Sequence, residues 1–569
     1  MTPHELCAVR LPRHLLVAVC LLNVIGAVSL SAGGADTPLA DAAKDQDWDT
    51  VGALLRQATD VDAAQADGST TLHWAAYWNA PDTLDLLIAA SADVDAANDY
   101  GATPLWAACA NRHGAIVERL LEAGANPNQG LRSGETLLMR CAHTGDATAV
   151  RALVTHGADV DVTEPEKRQT ALMRAVARLH PDVARILLEA GAAVDTRTAV
   201  VQQLRGTGER SMTSPQGSTY FDAGGFTPLL FAARHGAVDS ARLLLEAGAD
   251  VNDAGADGNS ALVLAAMSGH ETLARYLLER GADPDAADAG YTALHAAVLR
   301  SQPDLLGELL AKGANPDIQL TRSTPVPRWT FQHIFTLREK GSTPLMLAAK
   351  YLEPDFLRAL AAAGADPLLP MEDGTTALMA AVGVGANRST TRRNRLIAPE
   401  LVAAEWANGD LVRATLEAAL EAGAGGATGV DVINAMGRSG NTALHGAARY
   451  GFVAAAELLI ARGADAEIEN EAGSTAREML ERLEESQWSC ARRRHETGEA
   501  GGLRYGSRQP ESRRPTRMAR WMLVGAGLVA LAGSDRGIYV PRRRRARALP
   551  RRRPRCRRQT HGRCSTGTV

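Results

Sequence analysis

Residues 292–317 read TALHAAVLRSQPDLLGELLAKGANPD, and this phrase recurs along the chain at a nearly fixed interval. Its anchor is the leucine of the opening Thr-x-Leu triplet, here Leu294. The equivalent leucines elsewhere are Leu39, Leu72, Leu105, Leu138, Leu172, Leu229, Leu262, Leu345, Leu378 and Leu444. A period near 33 residues predicts a solenoid, in which each small unit buries its apolar face against the next one.

Each copy has the residues that two short helices and their turns require. A Thr can cap a helix, and a Pro after it, as in Thr227-Pro228-Leu229, suits the first helical position. Small pairs such as Ala232-Ala233 allow close helix approach, and pairs such as Leu243-Leu244 fill a core. The glycine that follows, for example Gly248, can end a helix in the left-handed conformation. A buried Leu contributes roughly 1.5–3 kcal/mol, so a stack can offset an ordering entropy that one unit cannot.

The repeated phrase resembles the ankyrin repeat, whose period is about 33 residues and whose motif is Thr-Pro-Leu-His-x-Ala. The resemblance covers about residues 36–485. It implies an all-α ankyrin-repeat solenoid of helix-turn-helix units with β-hairpin loops, about eleven repeats and a degenerate terminal cap. In the last unit Arg477 takes the place of the anchor leucine, which suits a polar cap that prevents end-to-end association. The pattern is similar to that of exported, multi-repeat, bacterial-type members of the family.

The first 35 residues have the composition of a secretory signal. Arg10 and Arg13 precede an apolar run over 15–30, and small residues near its end offer cleavage sites. An uncleaved N-terminal anchor is the alternative interpretation. Either one places the repeats outside the cytosol, so the sequence predicts a periplasmic or secreted protein.

Two cysteines, Cys109 and Cys141, lie within the repeats. They occupy alanine-type core positions on the first helices of adjacent units. A disulfide can join them in an oxidising compartment, but we interpret them as buried small thiols. The chain has no Cys-x-x-Cys pair and no zinc-ligand spacing.

The net charge of −4 hides a strong division of charge. Residues 486–569 carry 22 Lys+Arg and 4 Asp+Glu, whereas the rest of the chain carries 39 and 61. The solenoid is therefore acidic, which argues against nucleic acid as its partner. The Arg-rich tail is expected to be disordered. Its apolar stretch over 521–534 is shorter than the roughly 17–25 residues that span a bilayer, so membrane contact is expected only there or through residues 1–35.

The origin of the tail stays open between three interpretations. It is an artefact of a shifted reading frame, a membrane-sorting tail, or a polyanion-binding tail, and the composition favours the first.

In an ankyrin-like unit, few side chains are free to face a partner. They lie three, five and six residues before the anchor leucine and two, five and six residues after it. These offsets select nine of the 24 aromatic residues, and the three offsets after the leucine also select six arginines. The aromatic residues are Trp74, Tyr77, Trp78, Tyr100, Phe226, Phe231, Tyr291, Tyr351 and Tyr450. The arginines are Arg140, Arg174, Arg178, Arg234, Arg300 and Arg449.

Exposed aromatic residues and arginines are the typical anchors of a protein-binding surface. For Trp74 and Phe231, which directly follow the opening phrase, packing within the stack is an equal alternative. For Tyr77 and Trp78 the binding interpretation is favoured, because two adjacent helix residues cannot both point into the core.

Three insertions interrupt the period, at residues 196–223, 318–340 and 385–399. The second contains Trp329 and Phe331, which join the predicted partner-binding residues, because insertions in repeats often map to the binding face. Folding back over its own solenoid is an equal alternative for this apolar segment. The Arg-rich third insertion is interpreted as a solvated loop.

The sequence offers little for catalysis. His73, His295 and His445 are the fourth letter of the repeat phrase, where a histidine can bond within the turn. No histidine lies in an HExxH, nucleophile-elbow or phosphate-loop motif. The Asp-x-Asp triplets, such as 93–95 and 283–285, are not spaced like a calcium loop and recur only because the hairpin recurs. We therefore predict no enzyme activity, metal or cofactor.

The sequence supports three hypotheses for function. The first is a non-catalytic scaffold that binds a protein partner on its concave aromatic and arginine face. The second is an exported effector or toxin-like protein that docks a foreign target. The third is an enzyme whose site lies in the inserted loops around His333.

Overall fold

In the computed structural model the residues described are 37–57, 59–206, 218–324, 339–384, 409–423 and 432–482. Outside them lie the predicted signal segment, the Arg-rich tail, the third insertion, and the stretch of the second insertion that contains Trp329, Phe331 and His333. The chain divides into two units, Met1–Ala491 and Arg492–Val569, and every described residue belongs to the first. Within the described segments, no helix is long and apolar enough to cross a membrane.

The described chain is a succession of paired helices, as the repeat predicts. The first helices of the pairs are Pro38–Lys44, Thr71–Tyr77, Pro104–Asn111, Leu137–Thr144, Ala171–Ala177, Pro228–His235, Ala261–Ser268, Ala293–Arg300, Pro344–Lys350, Ala377–Ala381 and Ala443–Tyr450. The second helices are Trp48–Leu55, Pro81–Ala89, Gly114–Glu122, Ala147–Thr155, Pro181–Glu189, Val238–Glu246, Glu271–Glu279, Pro303–Ala311, Pro354–Ala362, Gly409–Gly423 and Val453–Ala461. The predicted all-α solenoid of ankyrin type is confirmed. We number the repeats one to eleven in this order.

Six of the described first helices begin where the sequence predicts, because the hydroxyl of the preceding Thr or Ser accepts from a backbone N–H that the helix leaves unpaired. The hydroxyl of Thr136 accepts from the N–H of Met139, and that of Thr170 accepts from the N–H of Met173. A Pro at the first helical position of Pro104–Asn111 and Pro228–His235 costs no hydrogen bond there.

The core is one continuous seam of anchor leucines and small residues. Leu72, Leu105 and Leu138 are at most 1% exposed, and the alanines beside them are buried as well. Each first helix therefore packs against the first helices before and after it, with its own second helix behind. No single repeat encloses this seam, which is why the stack folds as a unit.

The capping histidines join neighbouring repeats. His73 Nδ1 accepts from the Thr70 N–H at 3.1 Å, and its Nε2 donates to the Ala102 carbonyl of the next repeat at 2.9 Å. His295 does the same between Thr292 and Ser342, on either side of the second insertion. Burial lowers the pKa of His73 and lowers that of His295 to about 4, so both rings are neutral near pH 7. The predicted bonding of these histidines within the turn is confirmed.

In three repeats a second histidine, His113, His180 or His270, bonds to a backbone carbonyl of the repeat before it. His180 Nε2 donates to the carbonyl oxygen of His143 at 3.2 Å, and His270 Nε2 donates to that of Arg234 at 3.1 Å. The residue facing the His180 ring is Gly145, which ends its helix at φ 79°; a Cβ there would lie 2.5 Å from the ring. Both the left-handed backbone and the ring exclude a side chain at Gly145.

The Asp-x-Asp triplets form a ladder of hydrogen bonds along the loops after the second helices. The carboxylate of Asp62 accepts from the N–H of Asp93 at 2.9 Å, Asp95 accepts from the N–H of Asn126 at 2.9 Å, and Asp161 accepts from the N–H of Ala193 at 2.8 Å. These acidic residues therefore link repeats, which explains why they recur.

Cys109 and Cys141 form a disulfide, with their Cα atoms 4.9 Å apart. The interpretation of these residues as free buried thiols is wrong. The two first helices approach closely because both positions are alanine-type, and this brings the Cα atoms within the range a disulfide needs.

The first insertion, in the parts described on either side of residues 207–217, contains a pair of β-strands. Strands Val201–Gly206 and Ser218–Ala223 are antiparallel, and Leu204 pairs with Tyr220. At the base, the Thr198 N–H donates to the Phe226 carbonyl at 3.1 Å. The insertion thus lengthens the hairpin that precedes repeat six.

The described chain ends in a polar helix. Residues 476–482 are helical, and Arg477 is exposed and paired with Glu467. This exposed position confirms that Arg477 replaces a core leucine at the end of the stack.

Candidate partner-binding surface

Repeat two presents three contiguous aromatic rings. Tyr77 and Trp78 are 41% and 39% exposed, and their ring centroids lie 4.8 Å apart in an edge-to-face arrangement. Trp74 lies one turn earlier, with its ring centroid 5.8 Å from that of Tyr77. We name Trp74, Tyr77 and Trp78 the aromatic cluster. It is a preorganised apolar surface, since each ring is held by the next.

Trp74 is the inner member of the aromatic cluster. Its indole N–H donates to Gln65 Oε1 at 3.0 Å, and Lys44 Nζ lies 5.5 Å from the ring centroid. The ring is half-buried against the core. Trp74 therefore supports the cluster as well as contributing to its surface, whereas Tyr77 and Trp78 extend into solvent.

Repeats three to five carry a linked arrangement of a tryptophan, two arginines and one glutamate. Glu135 binds Arg140 at 2.8 Å and Arg174, from the next repeat, at 2.5 Å. The guanidinium of Arg140 lies 5.0 Å from the centroid of the Trp106 ring. Three buried donors here have no hydrogen-bond partner: Trp106 Nε1, Arg140 Nε and Arg174 Nε. Two cations share one carboxylate, so the group has an excess of positive charge and of donors.

The positive charge continues into repeats five and six. Burial lowers the pKa of His143, and the guanidinium groups of Arg178, Arg140 and Arg174 lower it further. Burial also lowers the pKa of His235, and Arg234, His270 and Arg178 add to that effect. Arg178 acts on histidines of both repeat four and repeat six, so the cations of three repeats share one electrostatic neighbourhood. We name Arg140, Arg174, Arg178 and Arg234 the basic row.

Two predicted surface residues lie in the core instead. Phe226 is 8% exposed, and its ring packs over Gly255 of the next hairpin, where a Cβ would lie 2.7 Å from the ring. Tyr291 is 2% exposed, and its hydroxyl donates to Asn259 Oδ1 at 2.9 Å. Burial raises the pKa of Tyr291. Both predictions of exposure are wrong, because the neighbouring hairpin covers the position three residues before the anchor leucine.

Other predicted residues are divided between surface and packing. Tyr100 is 71% exposed at a hairpin tip, and Arg449 is exposed as well. Phe231 is half-buried, with its ring centroid 6.0 Å from that of Phe226 and its ring stacked on His235. Arg300 is half-buried, and burial lowers its pKa.

Tyr351 belongs to a buried polar group at the end of the second insertion. Its hydroxyl donates to Glu339 Oε1 at 2.8 Å, and Lys350 Nζ lies 2.8 Å from the same oxygen. The side chains of Lys350 and Glu339 are 8% and 4% exposed. These contacts hold the end of the insertion against repeat nine. Tyr351, predicted to bind a partner, therefore also has a structural role.

Tyr450 and Arg449 line a pocket of about 400 Å³ near the end of the stack. The pocket also contains Asp373, Arg438, His445 and Glu471. His445 is occupied as a helix cap, because its Nδ1 accepts from the Thr442 N–H at 3.2 Å. The lining residues include both acidic and basic side chains. Among these lining residues, no nucleophile is hydrogen-bonded to a general base.

Sequence reasoning missed Trp106, Glu135 and Leu204. Trp106 lies one residue after the anchor leucine, an offset assigned to packing, yet its ring supports Arg140. A signal was present, since an aromatic residue in one repeat and an arginine in the next is a natural stacking pair. Leu204 and Tyr220 are exposed together on the lengthened hairpin, which the repeat pattern could not predict.

No group of three or more His, Cys, Asp or Glu side chains in the described segments is arranged to hold a metal ion. His333, around which an enzyme site was hypothesised, lies outside the described residues.

Comparison with known proteins gives matches to one kind of repeat. A family model described as ankyrin repeats (3 copies) matches residues 39–130, 129–198 and 229–319, and a model of the single ankyrin repeat matches residues 439–471. Among solved structures, the human ASB11 ankyrin repeat domain is 26% identical and aligns over 43% of this chain and 99% of that chain, with a TM-score of 0.35. No curated protein matches the sequence.

Proposed function

Because the repeats of this chain are ankyrin repeats, which typically mediate protein–protein interaction and are generally non-enzymatic, we propose that it is a non-catalytic scaffold for a protein partner. The partner binds on the surface formed by the first helices and hairpins, the concave face expected of an ankyrin stack. The aromatic cluster of repeat two is its main apolar anchor.

One observation carries this proposal: the exposure of Tyr77 and Trp78 side by side. Core packing does not require these rings, because the alanines and leucines of repeat two already fill the seam. Buried aromatic anchors contribute a large share of binding free energy at protein interfaces. Two exposed rings held in a fixed geometry lose little conformational entropy when a partner covers them.

We also propose that the repeats function outside the cytosol. The composition of residues 1–35 supports export. The disulfide between Cys109 and Cys141 adds support, because such bonds persist in oxidising compartments. Mass spectrometry of the chain from the producing cells tests both points, through the N-terminal residue of the mature chain and the alkylation state of the two cysteines.

The binding proposal is tested by alanine substitution in the full-length chain. Tyr77→Ala and Trp78→Ala should each weaken capture of the partner, identified by crosslinking and mass spectrometry, by at least about tenfold. The unfolding temperature should change little. Leu86→Ala is the matched control, since Leu86 is exposed on the second helix of the same repeat. Equal loss with Leu86→Ala, or full capture by both aromatic variants, would contradict the proposal.

A further inference from the structure

We infer that the basic row holds an acidic segment of the protein partner, with the partner's carboxylates facing Arg140, Arg174, Arg178 and Arg234. The inference rests on the proposed function, since it names the chemistry of the partner at the same surface. The partner we infer has carboxylates placed beside an apolar stretch that covers the aromatic cluster.

The first argument is the excess of donors around Glu135. Arg140 and Arg174 each use one terminal nitrogen on this single carboxylate. The other terminal nitrogen of each arginine has no hydrogen-bond partner among the described residues, and the two side chains are 27% and 19% exposed. A second carboxylate, from a partner, can therefore reach these nitrogens and form charge-assisted hydrogen bonds with them.

The second argument is the accessibility of the outer arginines. Arg178 and Arg234 are exposed, and the guanidinium of Arg234 lies 6.0 Å from the centroid of the Phe226 ring. The electrostatic effect of Arg178 on His143 and His235 places these charges within mutual range across three repeats. An extended acidic segment running along the stack therefore meets several cations in succession.

The third argument is contrast with the rest of the molecule. Residues 1–485 carry 39 Lys+Arg and 61 Asp+Glu. At the partner-facing helix offsets of repeats four to six there are four arginines and two histidines and no Asp or Glu. In repeats two and three the same offsets hold Trp74, Tyr77 and Trp78, then Ala107, Ala110 and Asn111. An apolar stretch is thus followed by a basic one, on an otherwise acidic protein.

This contrast also selects a protein segment over a nucleic acid. A nucleic acid carries a charge at every phosphate, so its length beyond the basic row would be repelled by the acidic remainder. A short acidic segment with neutral flanks avoids that repulsion. Charge complementarity of this local kind mainly sets specificity and association rate.

The test uses the full-length chain and a fluorescent glutamate-rich peptide, with a twin in which every glutamate is glutamine. Fluorescence anisotropy should detect the glutamate peptide and show at least about tenfold weaker binding of the twin. Arg178→Glu and Arg234→Glu should each weaken the glutamate peptide about tenfold. Arg185→Glu is the matched control, exposed on the second helix of repeat five, and should stay within about twofold.

Equal binding of the two peptides, equal weakening by Arg185→Glu, or no binding at all overturns the inference. Tighter binding of a labelled single-stranded RNA also overturns it. Partner capture separates the two proposals. If Trp78→Ala loses the partner and Arg178→Glu keeps it, the inference fails and the proposed function stands. If both variants keep the partner, both proposals fail.

Discussion

Cys109 and Cys141, on the first helices of repeats three and four, are joined by a disulfide, and the same two helices carry Trp106 and Arg140, whose ring and guanidinium lie 5.0 Å apart. Cys109 lies one turn after Trp106, and Cys141 is the residue after Arg140. The covalent link therefore fixes the relative position of the two helices that present the ring and the cation. Repeats three and four therefore contain both the disulfide and part of the candidate binding surface.

We expect the double variant Cys109→Ala/Cys141→Ala to be less stable by about 3–4 kcal/mol, because the link closes a loop of 32 residues in the unfolded chain. Alanine fits both sites, as Ala75 and Ala76 show in repeat two. Denaturant unfolding of the two proteins without reductant measures the difference. Equal midpoints would show that the disulfide does not form in solution.

We expect Gly145→Ala to be more destabilising than Gly451→Ala. Both glycines end first helices at positive φ, so each change costs about 1–2 kcal/mol in backbone strain. Only at Gly145 does the new Cβ meet a ring, that of His180, while nothing lies within 4 Å at Gly451. The overlap adds about 1–3 kcal/mol. Chemical denaturation measures both costs, and His180→Ala should remove most of the excess cost at Gly145. A larger cost for Gly451→Ala would show that the His180 ring does not restrict position 145.

We expect the free energy of unfolding to decrease as the pH falls, because His295 is buried in its neutral form. Its pKa is about 4 in the folded protein and 6.5 for the free side chain, so the unfolded chain binds more protons between these values. The contribution is complete above pH 6.5 and is lost as pH falls toward 4, with a size on the order of 3 kcal/mol. His295→Met, which copies Met139 and Met173 at the same offset, should flatten this dependence in urea titrations. An unchanged slope would exclude His295 as the source.

We expect Lys350→Met to cost about 3–5 kcal/mol, because it removes the ammonium group that lies 2.8 Å from the buried Glu339 carboxylate. Lys340→Met is the control, since the Lys340–Glu372 pair is largely exposed and should contribute under about 1 kcal/mol. The double variant Lys350→Met/Glu339→Leu should recover part of the loss. Thermal and denaturant unfolding measure all three, and similar costs for Lys350 and Lys340 would contradict the buried pair.

We expect Glu135→Gln to have opposite effects on stability and binding. It removes the carboxylate shared by Arg140 and Arg174, which should lower stability by about 1–3 kcal/mol. The freed guanidinium groups should bind the glutamate-rich peptide at least about threefold more tightly. Glu166→Gln is the control, because Glu166 is exposed. It should change both the stability and the peptide affinity by less than Glu135→Gln does. Weaker peptide binding by Glu135→Gln would mean that Glu135 positions the arginines rather than competing for them.

Much of the fold could be predicted, because the residues within each repeat determine where its helices begin and end. The Thr caps, the proline at the first helical position and the polar cap at Arg477 depend on neighbouring residues alone. The exposure of Tyr77 and Trp78 follows from helix geometry in the same way.

The errors occur where one repeat covers another. Phe226 and Tyr291 are hairpin residues by offset, but the adjacent hairpin buries them, at Gly255 and Asn259 respectively. The disulfide was missed because the sequence gives the spacing of two cysteines and not the approach of their helices.

The sequence by itself determined the repeat, its helix limits and the identity of the seam, since these follow from short-range propensity and a periodic apolar pattern. Only the tertiary structure decided which side chains meet across repeats: Glu135 with Arg174, His180 with Gly145, and Trp106 with Arg140. Those contacts depend on the small displacement between stacked units. That displacement cannot be predicted from the residues of one repeat, because it arises from the packing of all neighbouring repeats together.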